Sequence, residues 1–168
     1  KYITLKKARE NKLQLDWANY QPVKPTFIGT KTFENYSLEE ISQYIDWTPF
    51  FSSWQLAGKF PAILEDKIVG KEATKLYEDA KVMLKQIIDE KWVTAKAVIG
   101  IYPANSVNDD DIELYPNNTR KTVKAKLHHL RQQAKKAPGQ PNLCLTDFLA
   151  PKESGVEDYM GAFAVTAG

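Results

Sequence analysis

With 168 residues, 43% hydrophobic and 26% charged, the chain is long enough for one domain with a real core and has the composition of an ordinary globular protein. A formal net charge of +2 is too small to argue for nucleic acid or an anionic membrane as a partner. The one cysteine, Cys144, rules out an intrachain disulfide and a cysteine-based zinc site, and no apolar run approaches the ~18 residues of a membrane span.

Residues 1–35 read as an N-terminal helix and linker. Leu5, Ala8 and Leu15 are spaced among many charges, and Pro22 and Pro25 then interrupt any helix. Ser37-Leu38-Glu39-Glu40 has the form of a capping box, with Ser37 as N-cap and Glu40 at the third position. Leu38, Ile41 and Ile45 follow at helical spacing. The stretch from Trp47 to Phe60 is aromatic and irregular, punctuated by Pro49, Gly58 and Pro61. Gly70 to Lys91 is the clearest helix. Ala73, Leu76, Tyr77, Ala80, Leu84 and Ile87 share one face, and Lys71, Lys75, Lys81 and Lys85 lie off it.

Beyond about Ala95 the period falls from 3.6 to 2. Ala97 to Tyr102 is a continuous apolar run that predicts a central strand. Asn105 to Asp110 predicts a turn, Asp111 to Tyr115 a half-buried strand, and Pro116-Asn117-Asn118 a second turn. Val123, Ala125 and Leu127 alternate with charged residues as a third strand, and Tyr159 to Val165 reads as a further one. Strands joined by short turns pair antiparallel. The expected class is α+β, with helices packed on an antiparallel β-sheet.

Dinucleotide, P-loop, zinc-protease and nucleophile-elbow motifs are all absent, and no nucleophile–base pair is legible, so no catalytic residue and no metal ligand is assigned. The segment Tyr44-Ile45-Asp46-Trp47-Thr48-Pro49-Phe50-Phe51 places an acid among aromatics. Asp46 there either accepts hydrogen bonds from a ligand ammonium or caps a short helix, and composition alone favours the cap. His128 and His129 are adjacent in a predicted strand and point to opposite faces, which suits one exposed and one buried residue rather than a metal pair. Asp109-Asp110-Asp111 lacks the pattern of a calcium loop and reads as a solvated turn. Arg120, Lys121, Lys124, Lys126, Arg131, Lys135 and Lys136 form a cationic stretch, read as a wet strand face or as a dock for an acidic protein. Cys144, flanked by leucines, reads as a buried structural thiol.

Beyond these readings, the chain resembles a known family. Residues 44–51, then Trp54, Leu56-Ala57-Gly58-Lys59 and Pro61, resemble the activation domain of cobalamin-dependent methionine synthases. So do Pro103-Ala104-Asn105, His129-Leu130-Arg131-Gln132-Gln133, Asp147-Phe148-Leu149-Ala150-Pro151-Lys152 and Asp158 to Thr166. The matches keep their order over most of the chain. The resemblance implies a cytoplasmic enzyme that passes a methyl group from methyltetrahydrofolate to homocysteine through cobalamin. Oxidised cobalamin is rescued by one electron, from flavodoxin or a flavoprotein reductase, and a methyl group from S-adenosylmethionine. It implies that Asp46 accepts a hydrogen bond from the amino group of S-adenosylmethionine. It also implies that the cobalamin-binding domain of the same polypeptide is a partner, and that zinc belongs to a domain outside these residues. The family's Arg-Pro-x-Pro-Gly-Tyr ligand segment does not occur in this sequence. Residues 1–168 are therefore expected to be the N-terminal portion of the activation domain, cut at both ends from a longer polypeptide and not catalytic alone. The competing reading is a non-catalytic interaction module that docks an acidic flavoprotein electron donor.

Overall fold

A computed structural model describes residues 1–168. The chain divides into two compact units. One comprises Lys1–Lys31 with Val98–Phe163, and the other Thr32–Ala97 with Ala164–Gly168. Strands β1 (Gly29–Tyr36), β2 (Ala95–Val107), β3 (Asp111–Leu114), β4 (Ala125–His128) and β5 (Asp158–Ala167) form one sheet in the order β1-β2-β3-β4, with β5 also pairing β2. The expected mixture of helices and antiparallel strands is what the chain forms.

The unit built on residues 32–97 is mainly helical. Ser37 starts helix α2 (Leu38–Ser42), its Oγ accepting the Glu40 N–H at 3.2 Å. Only this half of the capping box forms, because the Glu40 carboxylate takes the Tyr36 hydroxyl at 2.7 Å instead of the Ser37 N–H. Helix α3 (Thr48–Ser53) carries Pro49 in its first turn, where the missing N–H costs nothing. Helix α4 (Gly70–Asp89) spans almost the predicted range, and Ala73 on its apolar face is fully buried. Phe51, Ile63 and Ala73 form the core, with Trp47, Phe50, Leu56, Phe60, Leu64, Leu76 and Tyr77 packed around it. α4 approaches the short turn Ala62–Glu65 so closely that a Cβ on Gly70 would lie 2.8 Å from the Leu64 carbonyl oxygen, which is why a glycine stands there.

The other unit carries the meander. β2 pairs β3 from Ala104↔Leu114 to Val107↔Asp111, and β3 pairs β4 from Asp111↔His128 to Leu114↔Ala125. The turn joining β2 to β3 is shorter than the sequence predicts. Asn108 and Asp109 make it with φ of 52° and 66°, a left-handed conformation that Asn and Asp tolerate. Asn105 and Ser106 stay in the strand although polar, because each has a buried acceptor. The Asn105 amide donates to the Ala150 and Val156 carbonyls at 3.0 and 2.9 Å, and the Ser106 hydroxyl to Leu149 at 3.0 Å. Ala104, Ile112 and Leu149 form the apolar core beside them.

Two expectations fail here for one reason. Within the acidic triplet Asp110 is buried while Asp109 stays exposed, and Arg131 is not on a wet strand face. Arg131 has no exposed side-chain surface; its guanidinium donates to Asp110 at 2.7 Å, to both Asp147 oxygens at 2.7 and 2.8 Å, and to the Asn142 and Asp109 carbonyls. Burial by itself pulls the Arg131 pKa down, but the bonds and charges of Asp147 and Asp110 outweigh it and the net shift is upward. Arg9 of helix α1 (Leu5–Glu10) holds the second Asp110 oxygen at 2.6 Å, and Asn11 reaches Asn142 at 2.8 Å. These bonds pin α1 to the fold, with Ala8 fully buried and most of its other residues exposed. Cys144 is buried and caps the turn Leu145–Phe148 through its sulfur, as expected of a structural thiol.

Candidate ligand site

Asp46 sits on the connection between α2 and α3, exposed to solvent. Its Oδ1 accepts the Thr48 N–H at 3.0 Å, although the N-cap position of α3 is Trp47. This does not consume the residue, since a carboxylate has two oxygens and about four acceptor positions. Its neighbours are held firmly. The Trp47 ring meets Tyr77 edge-on at 5.0 Å and Phe50 at 5.5 Å. The Thr48 hydroxyl oxygen accepts the Phe60 N–H at 3.3 Å. An acid tied at one oxygen, on a backbone anchored by aromatics, can offer its other oxygen as a hydrogen-bond acceptor.

Beside it is a feature that the sequence reading did not identify. A groove of about 470 Å³ runs between α3 and α4, lined by Ile45, Trp47, Phe50, Trp54, Met83 and Ile87 among others, with Asp79 as its one charged residue. Both sequence neighbours of Asp46 border it. The signal that could have revealed it is an excess of apolar residues beyond the core stripe, since Trp54 and Met83 remain 61% and 58% exposed.

Of the cationic stretch, the two arginines are used inside the fold and Lys121, Lys124, Lys126 and Lys135 stay exposed. Arg120 donates to the Ala104 and Asp158 carbonyls and to Asn105 Oδ1, between the rings of Tyr115 and Tyr159. Lys126 and Lys152 both pair with Glu113, whose carboxyl is held below its ordinary range by the Lys152 hydrogen bond first and then by Tyr115 and Lys126. Lys124 is exposed and lies 4.3 Å from the centre of the Tyr102 ring, its ammonium donating to the phenol oxygen at 3.3 Å. Tyr102 titrates below its ordinary range through its hydrogen bond with Thr30 and then Lys124. His128 is exposed against Asp111 at 2.7 Å, while His129 is half-buried with an enclosed Nε2. No three His, Cys, Asp or Glu side chains gather as a metal site. No helix is long and apolar enough to cross a membrane.

Fold and site together define an α+β module with a directed carboxylate beside an apolar groove. A sequence profile described as the vitamin B12 dependent methionine synthase activation domain matches residues 37–168. A solved structure described as the MetH reactivation domain bound to AdoHcy is 50% identical, with a TM-score of 0.86. That match covers 99% of this chain and 50% of that one. The chain belongs to the activation-domain family of the vitamin B12 dependent methionine synthases. It spans half the length of the solved chain it matches.

Proposed function

We propose that residues 1–168 form one side of an S-adenosylmethionine site in the reactivation of methionine synthase, and that Asp46 accepts a hydrogen bond from the amino group of the methionine moiety. Asp46 carries this reading: it is exposed, it is oriented by the Thr48 N–H, and it lies in a family whose solved relative holds AdoHcy. S-adenosylmethionine supplies the methyl group, and cobalamin, held by another domain of the polypeptide, receives it. The residues here bind and orient; none is assigned a catalytic role. The cytoplasm is the compartment this reading implies, and the buried free thiol of Cys144 suits it.

Asp46→Asn isolates the charge, because the amide oxygen can still accept the Thr48 N–H. Within a complete activation domain, this substitution is expected to weaken S-adenosylmethionine binding roughly 10- to 150-fold with little change in Tm. Asp46→Ala should weaken binding and also lower Tm, because the Thr48 N–H loses its acceptor. Residues 1–168 alone, without an Arg-Pro-x-Pro-Gly-Tyr segment to meet the ligand carboxylate, are expected to bind weakly or not at all. Calorimetric titration of the complete domain, its two Asp46 variants and residues 1–168 decides it. Equal affinities for the complete domain and its Asp46→Asn variant would remove Asp46 from the site.

An acidic flavoprotein, flavodoxin or a reductase, is the proposed electron donor. Arg120 and Arg131 are occupied internally, whereas Lys124 and Lys126 are exposed, Lys126 beside Glu113, and remain to steer it. Reversing Lys124 to Glu is expected to slow association at low ionic strength and to have little effect near 0.5 M salt, where the Debye length is about 4 Å. Identical stopped-flow rates at low salt would leave Lys124 with only its Tyr102 contact.

A further inference from the structure

Thr48 is the one residue that ties the Asp46 carboxylate to the core of its unit. Its N–H donates to Asp46 Oδ1 at 3.0 Å, and its own hydroxyl oxygen accepts the Phe60 N–H at 3.3 Å. Phe60 in turn is fixed, its ring stacked on Phe51 at 6.3 Å and against Tyr77 at 5.2 Å. The chain of contacts therefore runs from the ligand-facing acid, through the backbone and side chain of one residue, to the buried aromatic cluster. A carboxylate on an exposed loop samples several rotamers, and each one lost on binding costs affinity. A hydrogen bond from an anchored N–H removes that freedom beforehand.

We propose that Thr48 is a positioning residue for ligand binding, acting through Asp46 by holding its carboxylate in one orientation. This rests on the reading of Asp46 as the ammonium acceptor. Thr48→Val keeps the shape of the side chain and removes the oxygen. The Phe60 N–H then has no acceptor, residue 48 is released from the core, and the Asp46 carboxylate regains its freedom. Thr48→Ser keeps the oxygen. Ser53→Ala removes a hydroxyl from the same helix, one that donates to the Pro49 carbonyl at 2.9 Å and touches neither Asp46 nor Phe60.

The experiment is a calorimetric titration of the complete activation domain with S-adenosylhomocysteine and with S-adenosylmethionine, well below Tm. The set is wild type, Thr48→Val, Thr48→Ser, Ser53→Ala, Asp46→Asn and the double variant Thr48→Val/Asp46→Asn. Thr48→Val is expected to weaken binding about three- to tenfold. Thr48→Ser and Ser53→Ala should stay within about twofold of wild type. The double variant should bind no more weakly than Asp46→Asn, because a residue acting through the carboxylate has nothing left to position once the charge is gone. General loosening of the loop would instead cost the same factor in both backgrounds, and that result would overturn the proposal. Wild-type affinity in Thr48→Val beside weakened Asp46→Asn would also overturn it while leaving the Asp46 reading intact. Wild-type affinity in Asp46→Asn would remove that reading itself. If Thr48→Val does not fold, the same cycle is run with Thr48→Ala, with Thr48→Ser as the rescue.

Discussion

Arg131→Ala is expected to cost about 3–5 kcal/mol of stability, the range for breaking a buried ion pair by removing one partner. For a chain of this size that corresponds to a fall in Tm of about 6–20 °C. The magnitude follows from what is left behind. Asp147 has 3% side-chain exposure and Asp110 has 9%, so both keep their charges away from water when the guanidinium disappears. The Asn142 and Asp109 carbonyls lose a donor in the same step. Asp110 retains Arg9, but Asp147 keeps only the Cys144 N–H at 2.9 Å. Arg131→Lys should recover little, because a single ammonium cannot match a fork that serves two carboxylates and two carbonyls. Thermal unfolding followed by circular dichroism measures the effect. A Tm within about 2 °C of wild type for Arg131→Ala would mean that water or a rearranged Arg9 replaces the guanidinium.

Phe51→Ala is expected to destabilise the helical unit by about 3–5 kcal/mol, the usual range for emptying a buried phenylalanine site. Phe51 has no exposed surface and its ring meets Phe50 at 5.5 Å and both Phe60 and Tyr77 at 6.3 Å. These neighbours are large and rigid, so the cavity cannot collapse cheaply. Phe51→Leu should cost roughly half as much, because most of the volume is retained. A denaturant titration gives both values from the shift in midpoint. Since Trp47 and Thr48 hold Asp46 through this same aromatic cluster, the Phe51→Ala protein should also bind S-adenosylmethionine more weakly under conditions where it remains folded. Unchanged affinity in a clearly destabilised Phe51→Ala would show that Asp46 is held locally and not by the core.

The helix over Gly70–Asp89, the first half of the strand at 95–107, the strands at 111–114 and 158–167, and the start of α2 at Ser37 were legible in the order of residues. Each rests on a local property: a repeat of apolar positions, or a cap whose hydrogen bond spans three residues. The family, and with it the assignment of Asp46, came from resemblance and not from periodicity. The short strand Gly29–Tyr36 had no such signal, because its alternation is broken by Thr, Lys, Glu and Asn side chains.

What the sequence by itself determined, then, was every element whose stability comes from contacts within a few residues, together with membership of the family. Tertiary structure alone decided the fate of the charges. Asp110 and Arg131 read as solvated groups because charged residues usually are, yet contacts spanning 21 residues to each other, 16 to Asp147 and 101 to Arg9 bury them as a satisfied network. It also decided that Asp46 accepts the Thr48 N–H and still faces solvent, and that the surplus apolar residues of α3 and α4 border a groove. The physical reason is the same in each case. Helix and strand signals are short-range, whereas the environment of a charge or a cavity is set by residues that meet only after the chain has folded.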